Sequence, residues 1–307
     1  MMNADVSIAT LIQTISQELS RKYQNELLCT QYAWWVLEAI TQKNKATLLA
    51  HDSIALTPEQ KDTLKNWIDK QVEDNIPLQY LIGSVPFASC DILVEPPTLI
   101  PRQETEEWCV SIIEQLKQLG DQPLHILDLC TGSGCIALSL AKELPHAQIY
   151  ASDISDTALA LAQKNAAHNN LKSIQFLSSD LLYDIPKKLQ FDIIISNPPY
   201  ISSQEWQEVD ASVKEWEDPI ALLASDEGLG VVKQLITQAK THLKPHAELQ
   251  KYGIPQLIIE IGYQQGAAVK ALFEKEGFCN VIVKKDMHSQ DRIVVGCITN
   301  DGSPRES

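Results

Sequence analysis

The chain has 307 residues, enough for one large domain or two modest ones. Hydrophobic residues make up 44% and charged residues 21%, the balance of a soluble globular protein. No apolar run approaches the roughly 20 residues that span a bilayer, which excludes a helical membrane protein. A formal net charge of -15 argues against duplex nucleic acid as the main partner, because such binding draws on Lys and Arg to neutralise phosphates. It fits a protein or small-molecule partner better. The N-terminus lacks the basic-then-apolar layout of a secretory signal, so a cytoplasmic location is expected. The seven cysteines (Cys29, Cys90, Cys109, Cys130, Cys135, Cys279 and Cys297) are odd in number and form no CxxC pair. The histidines do not pair at ligand spacing either, and no metal site is expected.

In chain order, the segment up to Gly83 reads as a small helical bundle. Val6 to Leu19 places Ile8, Leu11, Ile12, Ile15 and Leu19 on one helical face. A second helix is expected from Gln24 to Thr41, with Leu27, Leu28, Trp34, Trp35, Leu37 and Ile40 as its apolar positions. Thr57-Pro58-Glu59-Gln60 supplies an N-cap, a proline at the first helical position and a capping-box glutamine. The helix that follows carries Leu64, Trp67, Ile68 and Val72. Nothing in this block carries chemistry, and its tryptophans read as core. From Pro86 to Val94 the pattern becomes that of a β-hairpin, followed by Leu99-Ile100-Pro101-Arg102-Gln103-Glu104-Thr105-Glu106 and then a helix to Leu116. The expected divisions are therefore 1–83, a linker over 84–98, and 99–307.

From His125 onward strands and helices alternate. Strands are expected at His125–Leu129, Gln148–Ser152, Ser173–Leu177, Phe191–Ser196, Gln256–Ile261, Val281–Lys284 and Arg292–Cys297. Helices fit near Cys135–Leu144, Asp156–His168, Gly230–Leu243 and Gln265–Glu276. Such alternation means an α/β fold, a largely parallel sheet with helices on both faces. The last two strands are joined by a loop too short for a crossover, so they should pair antiparallel. The tail Asn300–Ser307 is polar and expected to fray.

The first of these strands runs into Cys130-Thr131-Gly132-Ser133-Gly134-Cys135-Ile136-Ala137. Gly132 and Gly134 permit positive φ and a close ligand approach, with helix N-terminal N–H groups beyond. Gly132 to Ala137 fits G-x-G-x-x-A, which serves NAD and S-adenosylmethionine equally well. Asp153 ends the second strand, where a carboxylate can accept from a ribose diol or cap the next helix. After the third strand, Asp180 can accept from an adenine amino group and Leu181 can cover the ring, although Asp180 also reads as a plain turn residue.

The fourth strand leads directly into Asn197-Pro198-Pro199-Tyr200. Two prolines fix φ and remove two N–H donors, and Asn197 is held extended by the proline after it. The stiff loop offers two acceptors, the Asn197 side-chain oxygen and the Pro198 carbonyl, which suit the two donors of a planar –NH2 group. Tyr200 adds an aromatic face for a planar substrate group or a sulfonium charge. An amide nitrogen is too poor an acid for an ordinary base, so such a site works by aligning it and stabilising developing positive charge.

With these residues together, the chain resembles the PrmC/HemK protein-(glutamine-N5) methyltransferases over nearly its whole length. The N-terminal helices resemble the family's release-factor-binding domain, and Pro77-Leu78-Gln79-Tyr80-Leu81-Ile82-Gly83 its linker. Leu99 to Arg102 with Glu104-Thr105-Glu106, Asp128 to Gly134, Asp153, Asn197 to Tyr200 and Leu257 to Gly262 are similar to its later motifs. The resemblance implies a Rossmann-like class I methyltransferase: a mostly parallel seven-stranded sheet with an antiparallel last strand, plus the helical bundle. It implies S-adenosylmethionine bound by Cys130, Thr131, Gly132, Ser133, Gly134, Asp153, Asp180, Leu181 and Asn197. It also implies a glutamine held by Asn197, Pro198, Pro199 and Tyr200, with Asn197, Pro198 and Tyr200 as the catalytic set. The implied partners are class-I peptide chain release factors, modified by a monomer at the glutamine of a Gly-Gly-Gln loop.

The chain departs from the family pattern in several places. Gln103 stands where a second proline is usual, Cys130 where the glycine loop opens with glycine, and Ser289 where a glycine is common. Asp218 separates Glu217 from Pro219 in the family's Glu-Pro element. A longer polar loop from Pro245 to Gly253 replaces a Gly-Gly turn. Glutamine methylation of a ribosomal protein uses the same tetrapeptide, and so does adenine-N6 methylation of DNA, although no target-reading domain is evident here. An NAD-dependent oxidoreductase would leave Asn197 to Tyr200 unexplained. A non-catalytic release-factor-binding module would bind the factor without methyl transfer.

Overall fold

The computed structural model describes residues 5–298. The tail Asn300–Ser307 lies outside the described residues. The chain begins with β1 (Val6–Ser7), α1 (Ile8–Leu19), α2 (Glu26–Thr41), α3 (Lys45–Leu49), β2 (Ser53–Ile54), α4 (Pro58–Glu73) and α5 (Leu78–Ile82). Then come β3 (Ser84–Phe87), β4 (Cys90–Leu93), α6 (Gln103–Lys117), β5 (His125–Leu129), α7 (Cys135–Glu143), β6 (Gln148–Asp153), α8 (Asp156–His168), β7 (Gln175–Ser178) and β8 (Ile193–Ser196). The chain continues through α9 (Ala211–Trp216), α10 (Gly230–Ala239), α11 (Ala247–Lys251), β9 (Leu257–Glu260), α12 (Gly266–Lys275), β10 (Cys279–Lys285) and β11 (Asp291–Cys297). It divides into two compact units: one runs up to Gly83 and includes Asp210–Trp216, and the other holds Ser84–Val209 and the chain from Glu217 on.

In the first unit the apolar face of α1 is as expected: Ile8, Ile12, Ile15 and Leu19 pack with Cys29, Ala33 and Leu37 of α2 and Ile68 of α4. Burying each large aliphatic side chain contributes roughly 1.5–3 kcal/mol, far more than the helix propensities do. Leu27, one of the apolar positions expected in the second helix, is 83% exposed. It lies two residues before Cys29, about 200° around the helix from the buried row. Thr57 and Gln60 form the expected capping box at the start of α4. The sequence did not suggest α9, which belongs to this unit: Trp216 Nε1 donates to the Asp74 carbonyl at 3.0 Å and Asn75 Nδ2 donates to Glu215 Oε2 at 3.1 Å.

The second unit is built on a seven-stranded sheet of order β10-β11-β9-β8-β5-β6-β7. β11 is antiparallel to both neighbours, while the remaining pairs are parallel. The central strands are apolar on both sides because both faces are covered. Ile126, Ile193, Ile195 and Ile258 face a cluster with Cys109, Ile112 and Ile113 of α6 and Ile136 and Leu140 of α7. Leu127, Ile194, Ile259 and Val294 face one with Val232, Leu235 and Ile236 of α10 and Val269 and Phe273 of α12. β5 lies between β6 and β8, so the chain reverses its direction of winding there, and the crevice beyond the carboxyl ends of these strands is where such sheets bind ligands.

Two segments differ from expectation. α6 starts at Gln103, so Glu104, Thr105 and Glu106 lie in its first turn. Acidic residues there favour the helix dipole, and Gln103 at the first helical position takes a place where proline would be equally at home. The polar loop before β9 contains α11, capped by the His246 side chain and anchored by buried Leu249.

Candidate active site

β5 delivers the glycine loop with Gly132 at φ 55° and Gly134 at φ 84°, both positive as expected. At Gly134 a Cβ would meet Leu138 Cδ1 at 2.8 Å and the Ala162 Cβ at 3.0 Å, so only glycine lets α7 begin this close to α8. A Cβ on Gly132 would meet nothing within 4 Å, so its open face is accessible to a ligand. Cys130 is also left-handed, at φ 61°. Any side chain there carries strain of about 1 kcal/mol or more, which explains why glycine is usual at this position. Burial pushes the Cys130 thiol up, and so does the nearby Asp153 carboxylate.

Thr131 and Ser133 are buried and shape the loop from inside. Thr131 N donates to the Ser152 carbonyl at 2.9 Å, and the Ser133 carbonyl accepts from Asn165 Nδ2 at 2.9 Å. Asp128 lies beneath the loop. Its Oδ2 accepts from Thr131 Oγ1 at 2.5 Å and from Ala137 N at 3.0 Å, while Oδ1 has no partner among the described residues. Burial pushes this carboxyl up to about 7. Asp153 ends β6 with Oδ2 accepting from Gly132 N and Oδ1 from Ser155 N, both at 2.9 Å. It thus ties the glycine loop to the second strand and keeps lone pairs for a ligand. Burial raises its carboxyl, and the three backbone N–H groups around it oppose the rise. The cap of α8 is Ser155, whose Oγ accepts from Ala158 N at 3.3 Å.

A cleft opens over this edge. Cys130, Gly132, Asp153, Asn197 and Pro199 line it together. So do Leu99 of the motif before α6 and Asp218 beside Glu217, together with residues the sequence did not single out: Pro97 and Thr98, Ile154 and Ala158 around the start of α8, and Ile220. Ile154 and Ile220 present apolar side chains that are 51% and 52% exposed. An isoleucine directly after the strand-end Asp153 was a signal available in the sequence. Asp180 is exposed and Leu181 is packed into the core, and neither lines the cleft. The cleft has a carboxylate at the end of the second strand, an open glycine, apolar walls and a second acidic residue. These features fit a nucleoside bearing a cationic group.

Beyond β8, Ser196 Oγ donates to the Leu129 carbonyl at 2.7 Å and locks the strand end to β5. Asn197 Nδ2 donates to Thr105 Oγ1 at 3.2 Å. Thr105 Oγ1 and Trp108 Nε1 each donate to Glu260 Oε2 at 2.7 Å. Glu260 is buried at the end of β9, and burial raises its carboxyl against the pull of those two hydrogen bonds. Pro198 and Tyr200 follow Asn197 but do not line the cleft itself. The Tyr200 carbonyl accepts from Gln265 Nε2 at 2.9 Å, and burial raises the Tyr200 phenol, keeping it neutral.

The sheet and this site define a class I methyltransferase, dependent on S-adenosylmethionine. A family profile described as a methyltransferase small domain matches residues 109–215, and one described as the PrmC N-terminal domain matches residues 10–83. The chain belongs to the release factor glutamine methyltransferase family. A member from Flavobacterium psychrophilum is 38% identical over 84% of this chain and 88% of its own length. One from Escherichia coli is 36% identical over 85% of this chain and 89% of its own. Among solved structures, the hMettl16 catalytic domain in complex with a MAT2A 3′UTR hairpin shares the fold, with a TM-score of 0.54 and 19% identity over 83% of this chain and 87% of that one.

Proposed function

We propose that this protein methylates the side-chain amide N5 of the glutamine in the Gly-Gly-Gln loop of class-I peptide chain release factors. Its relatives are named for glutamine methylation of release factors. The observation that carries the reading to specific atoms is the placement of Asn197 at the switch point, with its amide nitrogen already donating to Thr105. The Asn197 oxygen is then left to accept from a substrate.

S-adenosylmethionine supplies an electrophilic methyl group, activated by its sulfonium charge. Asp153 is suited to accept from the ribose diol, the open backbone at Gly132 to let the cofactor approach closely, and Ile154 and Ile220 to flank an aromatic ring. Asn197 Oδ1 and the Pro198 carbonyl accept the two N–H bonds of the glutamine amide, and the Tyr200 ring packs on its plane. These contacts fix the nitrogen in line for attack. They would also stabilise the positive charge that grows on nitrogen as the methyl–nitrogen bond forms and the methyl–sulfur bond breaks, its electron pair leaving with the neutral thioether S-adenosylhomocysteine, until a proton leaves to water. No side-chain base is required. The N-terminal helical unit is suited to partner recognition, with a protein rather than a nucleic acid as substrate.

The test is the intact mass of a release factor incubated with the protein and S-adenosylmethionine. One added methyl on the Gly-Gly-Gln glutamine, lost with Asn197→Ala, is expected. Methyl transfer to a ribosomal protein or to DNA, with the factor unmodified, would overturn the substrate assignment.

A further inference from the structure

The relay behind Asn197 has a directional logic. An asparagine amide offers an oxygen on one side and an NH2 on the other, and which of them faces the substrate decides what the site can bind. Indole Nε1–H can only donate, so Glu260 Oε2, 2.7 Å from Trp108 Nε1, is an acceptor. The Thr105 hydroxyl lies 2.7 Å from the same oxygen and has a single proton, which it directs there. Toward Asn197, Thr105 Oγ1 can then only accept, so the Asn197 group 3.2 Å away is the NH2. Protonating Glu260 leaves this direction unchanged, because two donors already converge on Oε2 and a proton would go to Oε1.

We infer that Thr105 and Glu260 are positioning residues that fix the Asn197 amide with its oxygen toward the substrate, so that the site selects an –NH2 donor. The inference rests on the proposed function and deepens it. It gives a role to two segments that are remote in sequence from the tetrapeptide: the first turn of α6 and the end of β9. A flipped Asn197 would set its oxygen against the Thr105 lone pair and its NH2 against the substrate NH2, losing both hydrogen bonds at once. A site built to pair with a donor rejects such a mismatch strongly.

The test is the steady-state kinetics of T105V and T105S on a release factor, alongside S-adenosylmethionine binding by calorimetry. T105V keeps the shape of Thr105 but offers no acceptor. It is expected to lower kcat by about 10-fold or more, with the cofactor Kd changed by less than about 3-fold. T105S restores the hydroxyl and should recover most of the loss. In an N197D background both side-chain atoms are oxygens, so orientation no longer matters and T105V should cost less than about 3-fold further. E260L should resemble T105V, and E260Q, which keeps an oxygen acceptor, should retain more activity than E260L. T105V with unchanged kcat, or with the same loss in the N197D background, overturns the positioning role. A wild-type protein that leaves the factor unmethylated overturns the proposed function and this role with it; a methylating wild type beside an unimpaired T105V overturns this role alone.

Discussion

Arg102 Nη2 lies 2.7 Å from Oε1 and 2.6 Å from Oε2 of Glu217, so one guanidinium nitrogen holds both oxygens of a carboxylate. The Glu217 side chain is only 1% exposed and the Arg102 side chain 35%. The next residue, Asp218, donates its N–H to the Pro97 carbonyl at 2.7 Å, and both Asp218 and Pro97 line the cleft. The pair therefore pins one rim of the site. Arg102→Ala leaves a buried carboxylate without its partner, at an expected cost of about 2–3 kcal/mol, since the arginine is partly screened by solvent. Urea denaturation checks this. The deficit should also depend on pH. Burial already raises Glu217, and Arg102 opposes the rise. Without Arg102 the folded state binds a proton still more readily than the unfolded chain, so the deficit should be largest at neutral pH and shrink toward acid.

Asp128 sets a second pH dependence. Its carboxyl is raised from 3.8 in an ordinary setting to about 7 by burial. Between those values the folded protein holds a proton that the unfolded chain has lost. Stability therefore falls as pH rises through this window and levels off above it. Asp128→Asn keeps an oxygen for Thr131 and Ala137 and removes the titration. Compared across pH about 4.5 to 8 by denaturant titration, wild type should lose roughly 2–4 kcal/mol relative to the variant. Parallel profiles for the two proteins would show that Asp128 does not titrate in the fold.

The sheet was legible because its strands are apolar on both faces and are separated by recognisable helices. The site was legible where short-range chemistry makes it: Gly132 and Gly134 at a strand end, Asp153 at the next, and two prolines after Asn197. The sequence did not reveal partnerships across long separations. Nothing near Thr105 indicates that its hydroxyl meets Glu260, 155 residues away, or that Arg102 meets Glu217. Leu181 shows a related ambiguity. A leucine after a strand-end aspartate can equally cover a ligand or fill the core; here it has a left-handed backbone, at φ 49°, and its side chain packs in a core cluster. α9 was missed because six residues with little apolar periodicity carry no helical signal of their own and rely on their contacts with Asp74 and Asn75.

Asp153 should govern cofactor affinity. Asp153→Asn keeps one oxygen acceptor and puts NH2 donors where an oxygen stood. It also disturbs the hydrogen bonds to Gly132 N or Ser155 N. Losing charge-assisted hydrogen bonds of this kind costs about 1.5–3 kcal/mol, so the Kd for S-adenosylmethionine should rise at least ~10-fold. Calorimetry on the purified variant measures it, and an unchanged Kd would rule out Asp153 as the ribose acceptor.

The far end of the tetrapeptide is held through its backbone carbonyl, by the Gln265 side chain, and Gly228 is the position that tests it. The Tyr200 carbonyl accepts from Gln265 Nε2, while Gln265 Oε1 accepts from Gly262 N, each at 2.9 Å, so one side chain spans the tetrapeptide loop and the turn after β9. Gly228 lies against this clamp with φ 84°. A Cβ there would stand 2.3 Å from the Tyr200 carbonyl oxygen and 2.7 Å from Gln265 Nε2. Gln265 can swing aside, but the carbonyl cannot move without shifting Pro199 and Tyr200. Gly228→Ala therefore combines left-handed strain of about 1 kcal/mol or more with displacement of the loop. The expected result is a stability loss of roughly 2–4 kcal/mol and a kcat at least ~10-fold lower, because a misplaced substrate nitrogen loses its alignment. Gln265→Ala removes the amide clamp without the backbone clash and should lower kcat by a smaller factor at near-normal stability. If Gly228→Ala proves as stable and active as wild type, the Tyr200 backbone is not the rigid support described here.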